Sequence, residues 1–229
     1  MTAVSSARSG WDHGASGADE RGSGNRADLL SPHWKEWAEA GVRRMPAGWD
    51  QLGERLGDLQ DAVAGAVPPE NVVAEASALI ARATDLLRPH EVPESEQLFG
   101  RLLTLASRGQ TFSPPLWIDD YVDGVVTAST RFGRFHSGNN GVVHGGAIAL
   151  MFDDALGRTA DIVGGGRSRT ASLTVDYRSL TPLERPLDVS VQTVEHNGRK
   201  RVLHGTLSDD GRLCAEATGL FLEMRPDQP

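Results

Sequence analysis

A single cysteine, Cys214, stands among 229 residues, so no disulfide can form within the chain, and this usage fits a reducing compartment. Long apolar runs are missing too. The richest uncharged stretch, Ala147–Phe152, is far short of the ~20 residues that a membrane-spanning helix needs. Met1–Gly10 holds no continuous apolar segment, so no secretory leader is visible there. Only two lysines, Lys35 and Lys200, occur among 23 basic residues; 31 acidic ones outnumber them for a net charge of −8. With no basic stripe to neutralise phosphates, nucleic acid is excluded as the main partner. There is no Gly-x-Ser-x-Gly turn for a serine hydrolase and no glycine loop ending in Lys-Ser or Lys-Thr for a nucleotide. The seven histidines show no ligand spacing, and one cysteine cannot complete a zinc site. A cytoplasmic protein without metal or redox cofactor is the expectation.

What is present divides into three parts. Residues 1–30 are Ser, Gly, Ala, Arg, Asp and Asn, with too little to bury to repay ordering, and predict a flexible tail. Residues 31–110 read as helices. Ser31-Pro32 opens the first as an N-cap followed by proline, with Trp34, Trp37 and Val42 as its stripe. Apolar spacing predicts further helices over Asp50–Val63, Glu70–Leu87 and Ser95–Arg108, the last capped by Gly109. Residues 111–229 change period. Trp117–Thr130 reads as a strand bent at Gly124, Gly133–Gly141 as a loop, and Val143–Val163 as a long buried helix. Alternation then returns at Leu173, Val175 and Tyr177. Asn197-Gly198 and Asp210-Gly211 predict tight turns joining strands Leu187–Glu195, Arg199–Leu207 and Arg212–Met224. This order predicts an α+β fold with an antiparallel sheet.

The long helix carries the anomaly. Apolar residues occupy all its faces, yet Asp153 and Asp154 sit in the middle, where an unpaired carboxylate is costly. The bland alternative is a wet edge or a pair with Arg158, and it suits Asp154 better than Asp153. Gly145-Gly146 opens the helix where Ser, Thr or Asp is usual. Two glycines there either expose backbone N–H groups to an oxyanion or allow close packing against a strand. Gly146 and Asp153 lie about 10 Å apart along the axis, at 1.5 Å per residue. One small carbonyl cannot reach both within one subunit, whereas two antiparallel helices in a dimer would bring them together.

The stretch His144-Gly145-Gly146-Ala147-Ile148-Ala149-Leu150-Met151-Phe152-Asp153, with Thr170–Tyr177 and Ala215–Phe221, resembles hot-dog-fold acyl-CoA thioesterases, nearest the PaaI-like group. The resemblance covers roughly Trp117 to Met224. It implies a hot-dog domain over 111–229: a long central helix wrapped by an antiparallel sheet, here preceded by the helical segment, and assembled as a homodimer or dimer of dimers. It implies hydrolysis of an acyl-CoA, with a fatty, aryl or polyketide-type acyl group, or of an acyl-carrier-protein thioester. By the same resemblance the N–H of Gly145 polarises the carbonyl, and Asp153 of the opposing subunit is general base or nucleophile. Thr170, with Ser172 beside it, matches the position that places the water or the carboxylate. His144 is an orienting group, and Gly146 lies beside the substrate. Many relatives carry asparagine where this chain has Gly138; Asn139 and Asn140 follow and could supply the amide. Two other readings of the same fold are a non-catalytic acyl-CoA-binding module and a dehydratase or hydratase.

Arg199-Lys200-Arg201 follows a turn and suits either the phosphates of coenzyme A, with Arg199 as the contact, or the charged protection of an edge strand. The segment 31–108 is expected to pack over the sheet, cover an acyl tunnel or mediate assembly.

Overall fold

The computed structural model describes residues 32–164 and 166–225; the predicted tail over 1–30 lies outside them, as do the side chains of Trp34 and Trp37. Three helices come first: α1 (Pro32–Arg44), α2 (Trp49–Ala64) and α3 (Glu70–Leu87). Two strands follow, β1 (Leu116–Val122) and β2 (Val125–Thr130), then α4 (Gly145–Gly164). The chain closes with β3 (Ser168–Tyr177), β4 (Leu187–Asn197), β5 (Lys200–Asp209) and β6 (Arg212–Glu223). All six strands form one antiparallel sheet in the order β1-β2-β4-β5-β6-β3.

Period-2 alternation aims one face of the sheet at α4. On β5, residues Leu203, Gly205 and Leu207 are buried while those between them are half-buried, and Val189, Val191, Ala217 and Phe221 extend the inner face. From α4, Ile148, Met151, Phe152, Ala155, Leu156 and Ala160 fill the space opposite. The helix lies close to the sheet because glycine stands under it. A Cβ at Gly205 would come 2.9 Å from Leu156 Cδ1 and 3.3 Å from Phe152, and one at Gly219 would come 2.9 Å from Leu156 Cδ2. The far end of α4 is tied down by Arg201, which is 1% exposed. Its guanidinium donates to the Gly164 carbonyl at 3.0 Å and to Ser168 Oγ at 2.8 Å, and pairs with Glu223. A buried cation at the negative end of the helix dipole satisfies a terminal carbonyl.

Several sequence expectations are corrected. Trp117–Thr130 is two strands, not one bent strand: Asp123 (φ 52°) and Gly124 (φ 83°) form a two-residue turn between the paired Val122 and Val125. Positive φ at both positions is the geometry that an Asp-Gly pair favours, a signal present in the sequence and read only as a bend. Ser95–Arg108 is not a helix. Gly100 (φ 70°), Arg108 (φ 56°) and Gly109 (φ 73°) reverse the chain, and the stretch folds into successive turns around the fully buried Leu102. The sharp turn at Asn197-Gly198 is displaced by one residue, since Asn197 pairs with Lys200 and leaves Gly198-Arg199 as the loop. β5 is a central strand, which removes the edge-protection reading of Arg199–Arg201. Finally, α3 does not pack over the sheet: it has no buried residue, and its stripe of Val73, Ile80 and Leu87 is exposed. α2 does reach the domain, where Asp61 Oδ1 accepts the Phe135 N–H at 2.8 Å.

Gly205→Ala should therefore destabilise the protein by about 1–3 kcal/mol, the usual cost of overpacking a filled core. Urea unfolding would read this as a lower midpoint with an unchanged slope. An unaltered midpoint would mean that α4 does not rest on this glycine.

Candidate active site

One face of α4, spaced three and four residues apart, carries Leu150, Asp153, Asp154, Gly157, Arg158 and Asp161, and all six line a cavity of about 380 Å³. The opposite walls come from the 99–113 loop and from the ends of β3 and β6.

Consecutive residues on a helix point about 100° apart, and the two aspartates meet different surroundings. Asp154, with a side chain 8% exposed, is clamped between two arginines. Arg108 Nη1 donates to Oδ1 at 2.7 Å, and Arg158 lies 2.8 Å from Oδ2. Burial pushes the Asp154 carboxyl upward, but the two guanidinium groups outweigh it and hold the carboxyl below its ordinary value. Arg158 also donates to the carbonyls of Leu116 and Ala106, both at 3.1 Å, so the clamp fastens the loop before β1 to α4. The bland reading of Asp154 holds. Asp153 is half-buried and faces the cavity, and its Oδ1 accepts the Thr170 hydroxyl at 2.8 Å.

A β-bulge aims Thr170. On β3, Thr170 pairs with Phe221 and Ser172 with Leu220, so Ala171 is the extra residue. Residues directly opposite each other share a face. Thr170 therefore faces α4 with the buried Phe221, and Ser172 shares the far face with Leu220. Thr170 meets Asp153; Ser172 does not.

Of the other predicted residues, His144, Gly145 and Gly146 gather at the N-terminus of α4. His144 Nδ1 accepts the Gly146 N–H at 2.9 Å, so the ring acts as the N-cap and carries its proton on Nε2. That contact occupies the Gly146 N–H. The Gly145 N–H has no partner among the described residues, and the Gly145 carbonyl accepts the Tyr177 hydroxyl at 2.9 Å. A Cβ at Gly145 would come 3.2 Å from the Tyr177 ring, so close packing against a strand accounts for this glycine as well. Behind the cap, the His136 carbonyl accepts the His144 N–H at 2.8 Å; burial lowers the His136 pKa, with Asp61 opposing. Asn139 and Asn140 are exposed in the loop before the helix, with Asn140 at φ 60°, and neither lines the cavity. Arg199 is exposed and donates to the Glu223 carbonyl at 2.8 Å. The two groups are thus separate within one chain. Gly145 and Asp153 stand eight residues apart on α4, about 12 Å. Among the described residues no cluster of His, Cys, Asp and Glu could hold a metal ion.

A family model described as an acyl-CoA thioesterase N-terminal domain matches residues 135–222, from the loop before α4 into β6. Mouse acyl-coenzyme A thioesterase THEM4 is 36% identical over 106 residues, 45% of this chain and 45% of the mouse protein. Human acyl-coenzyme A thioesterase THEM5 is 26% identical over 98 residues, 42% of this chain and 39% of its own. Among solved structures, a thioesterase superfamily protein superposes with a TM-score of 0.65 at 27% identity, covering 76% of this chain and 94% of its own. Residues 135–222 therefore match an acyl-CoA thioesterase family model, and the fold is that of a thioesterase superfamily protein. The chain spans less than half the length of the curated relatives that it matches. The solved relative's coverage is too large for the hot-dog domain alone and takes in part of the preceding segment as well.

Three residues of the hot-dog domain's cavity escape a motif search. Arg108 lies in the stretch misread as helix, Gly157 is an unremarked helical glycine, and Asp161 stands two turns beyond Asp153. Helical spacing from Asp153 was the available signal for the last two. Asp161 accepts the Ser168 N–H at 3.2 Å, and burial raises its carboxyl from the ordinary 3.8 to about 7, opposed by that hydrogen bond and by Arg108, Arg201 and Arg167.

A raised carboxyl pKa means that the folded state holds a proton the unfolded chain has released. The contribution of Asp161 is then fully present below about pH 4 and is lost as pH rises to about 7. Asp161→Asn should flatten the stability profile in that window when urea midpoints are compared across pH. A profile that falls equally steeply in both proteins would place the titrating group elsewhere.

Proposed function

We propose that this protein hydrolyses acyl-CoA thioesters to the free acid and coenzyme A. The observation that carries the reading is the Asp153–Thr170 pair, open to a cavity of mixed polar and apolar walls inside a region that matches a thioesterase family model. Thr170 donates to one oxygen of Asp153 and leaves the second to act. A water bonded to it gives up its proton to Asp153 as its oxygen attacks the thioester carbonyl carbon. The carbon–sulfur bond then breaks, and the sulfur leaves as the thiolate and takes up the proton. Alternatively, Asp153 attacks the carbonyl itself, and water cleaves the resulting anhydride. In both routes negative charge builds on the carbonyl oxygen, and the unpartnered Gly145 N–H at the positive end of α4 is the donor suited to it.

The separation of about 12 Å along α4 favours a composite site, with Gly145 of one subunit facing Asp153 of the other. The outer edge of β3 leaves a place for a dimer: it ends the sheet and runs for ten residues, Ser168–Tyr177, with no Pro or Lys and with Arg169, Asp176 and the bulge at Ala171 as its only protection. Long edges of this kind pair with another strand unless protected. The substrate is carried by coenzyme A in this reading, with an acyl-carrier protein as the alternative carrier, and the cytoplasm is the location that one buried free cysteine fits.

Release of free thiol from a panel of acyl-CoAs tests the assignment. Asp153→Ala should lower kcat by at least about a hundredfold, the scale of losing a general base, and Thr170→Val should cost less. Saturable binding without turnover by the wild-type protein would favour a binding module, and hydration of enoyl-CoA in place of hydrolysis would favour a hydratase.

A further inference from the structure

Most glycines beneath or within α4 are explained by what they touch; Gly157 is not. Gly205 and Gly219 make room for Leu156, Gly145 for the Tyr177 ring and Gly164 for the Arg201 guanidinium. At Gly157 a Cβ would meet only Phe221 Cε1, at 3.6 Å, an ordinary contact. Glycine inside a helix costs about 1 kcal/mol relative to alanine, and no packing in this chain requires it. What the missing side chain leaves open is the floor of the cavity, midway between Asp153 and Asp161.

Part of the wall around this floor suits a chain-like ligand, although Arg108, Arg158, Arg167 and Arg169 also line the cavity. Phe99 and Phe112 are 56% and 67% exposed, yet both border the cavity, where a bound apolar group would cover them. Leu103 and Leu150 add apolar surface. The far end differs. One oxygen of Asp161 accepts the Ser168 N–H, and the other has no hydrogen-bond partner among the described residues. An alkyl terminus driven against it would leave a half-buried carboxyl unmatched, whereas a hydroxyl would pair with it.

We propose that the acyl chain lies along α4 from Asp153 over Gly157 to Asp161, so that Gly157 sets the accepted length and Asp161 favours an acyl group with a hydrogen-bonding terminus. The distances are about 6 Å to Gly157 and about 12 Å to Asp161 at 1.5 Å per residue, which suits a medium chain of roughly eight to ten carbons. A cavity of about 380 Å³ is of the size that holds one such chain. Because the 99–113 loop forms one wall and lies outside the 135–222 match, length selection belongs to the segment that precedes the family core. The proposal rests on the thioesterase reading for its direction, with the thioester at Asp153.

The test uses the full chain with butanoyl-, decanoyl- and ω-hydroxydecanoyl-CoA, following thiol release and, separately, binding by calorimetry. Wild-type protein should prefer ω-hydroxydecanoyl- over decanoyl-CoA. Gly157→Leu should lower the decanoyl-to-butanoyl ratio of kcat/KM by at least about tenfold, the scale at which pockets discriminate methylenes. Gly157→Ala, which replaces a helical glycine with the best helix former, should shift the ratio the same way by less. Asp161→Leu should bring the ω-hydroxydecanoyl-to-decanoyl ratio to about one. Unchanged ratios in these variants would overturn the proposal. A wild-type protein that turns over none of the three would overturn the thioesterase reading, and binding would then decide the groove. Tighter binding of decanoyl- than butanoyl-CoA, abolished by Gly157→Leu, would uphold it; equal binding of both by wild type would overturn it.

Discussion

The structure around the site depends on one buried charge arrangement, Asp154 between Arg108 and Arg158. Two guanidinium groups meet one carboxylate on the inner side of α4, and Arg158 passes on to the carbonyls of Ala106 and Leu116. Such a cluster contributes little net stability by itself, because desolvating three charges offsets much of their attraction. Its effect is positional. It draws the 97–116 chain across α4, holds Arg108 in a left-handed conformation that a non-glycine residue adopts only when its surroundings enforce it, and so builds a wall opposite Asp153. Without that wall the acidic face of α4 would lie open to water.

With Asp154 engaged in this way, its neighbour Asp153 stands outside the arginine clamp. Among the described residues Asp153 has no arginine partner and one hydroxyl, from Thr170, which reaches it because a bulge at Ala171 turns the strand by one residue. At the other end of α4, His144 takes up the Gly146 N–H, and the Gly145 N–H before it has no partner among the described residues. Only the two ends of the helix follow its dipole. The open donor lies at the positive end and the carboxylates lie further along, with Arg201 buried against the last carbonyl. The same helix also serves as the core element of the domain. This is why Gly205 and Gly219 are needed beneath it, and why the unneeded Gly157 stands out.

Much of this arrangement was legible in the residues. Alternation and Asp-Gly or Asn-Gly turns marked β4 to β6, and solid apolar character marked α4, because both signals come from local periodicity. Asp153 was conspicuous as a carboxylate in a buried helix, and Thr170 followed from resemblance. What stayed hidden depends on long-range packing. Leucines at helical spacing over Ser95–Arg108 form turns instead, because Leu102 is fully buried and Arg108 is drawn to Asp154, 46 residues away. Arg201 looked like a surface charge beside a turn and is a fully enclosed cap for α4, since nothing local reveals which strand is central. Thr170 matched the position best with Ser172 as the neighbouring alternative, and the bulge at Ala171 separates them.

In the proposed mechanism two adjacent aspartates divide the labour, Asp154 structural and Asp153 reactive. The thermal melting of Asp154→Asn and Asp153→Asn, compared under the same conditions, tests it most directly. Removing one partner of a buried ion pair costs about 3–5 kcal/mol, so Asp154→Asn should melt many degrees lower, while Asp153→Asn should melt close to the wild-type protein. If Asp153→Asn lost as much stability as Asp154→Asn, Asp153 would be part of the scaffold, and the account given of the site would be wrong.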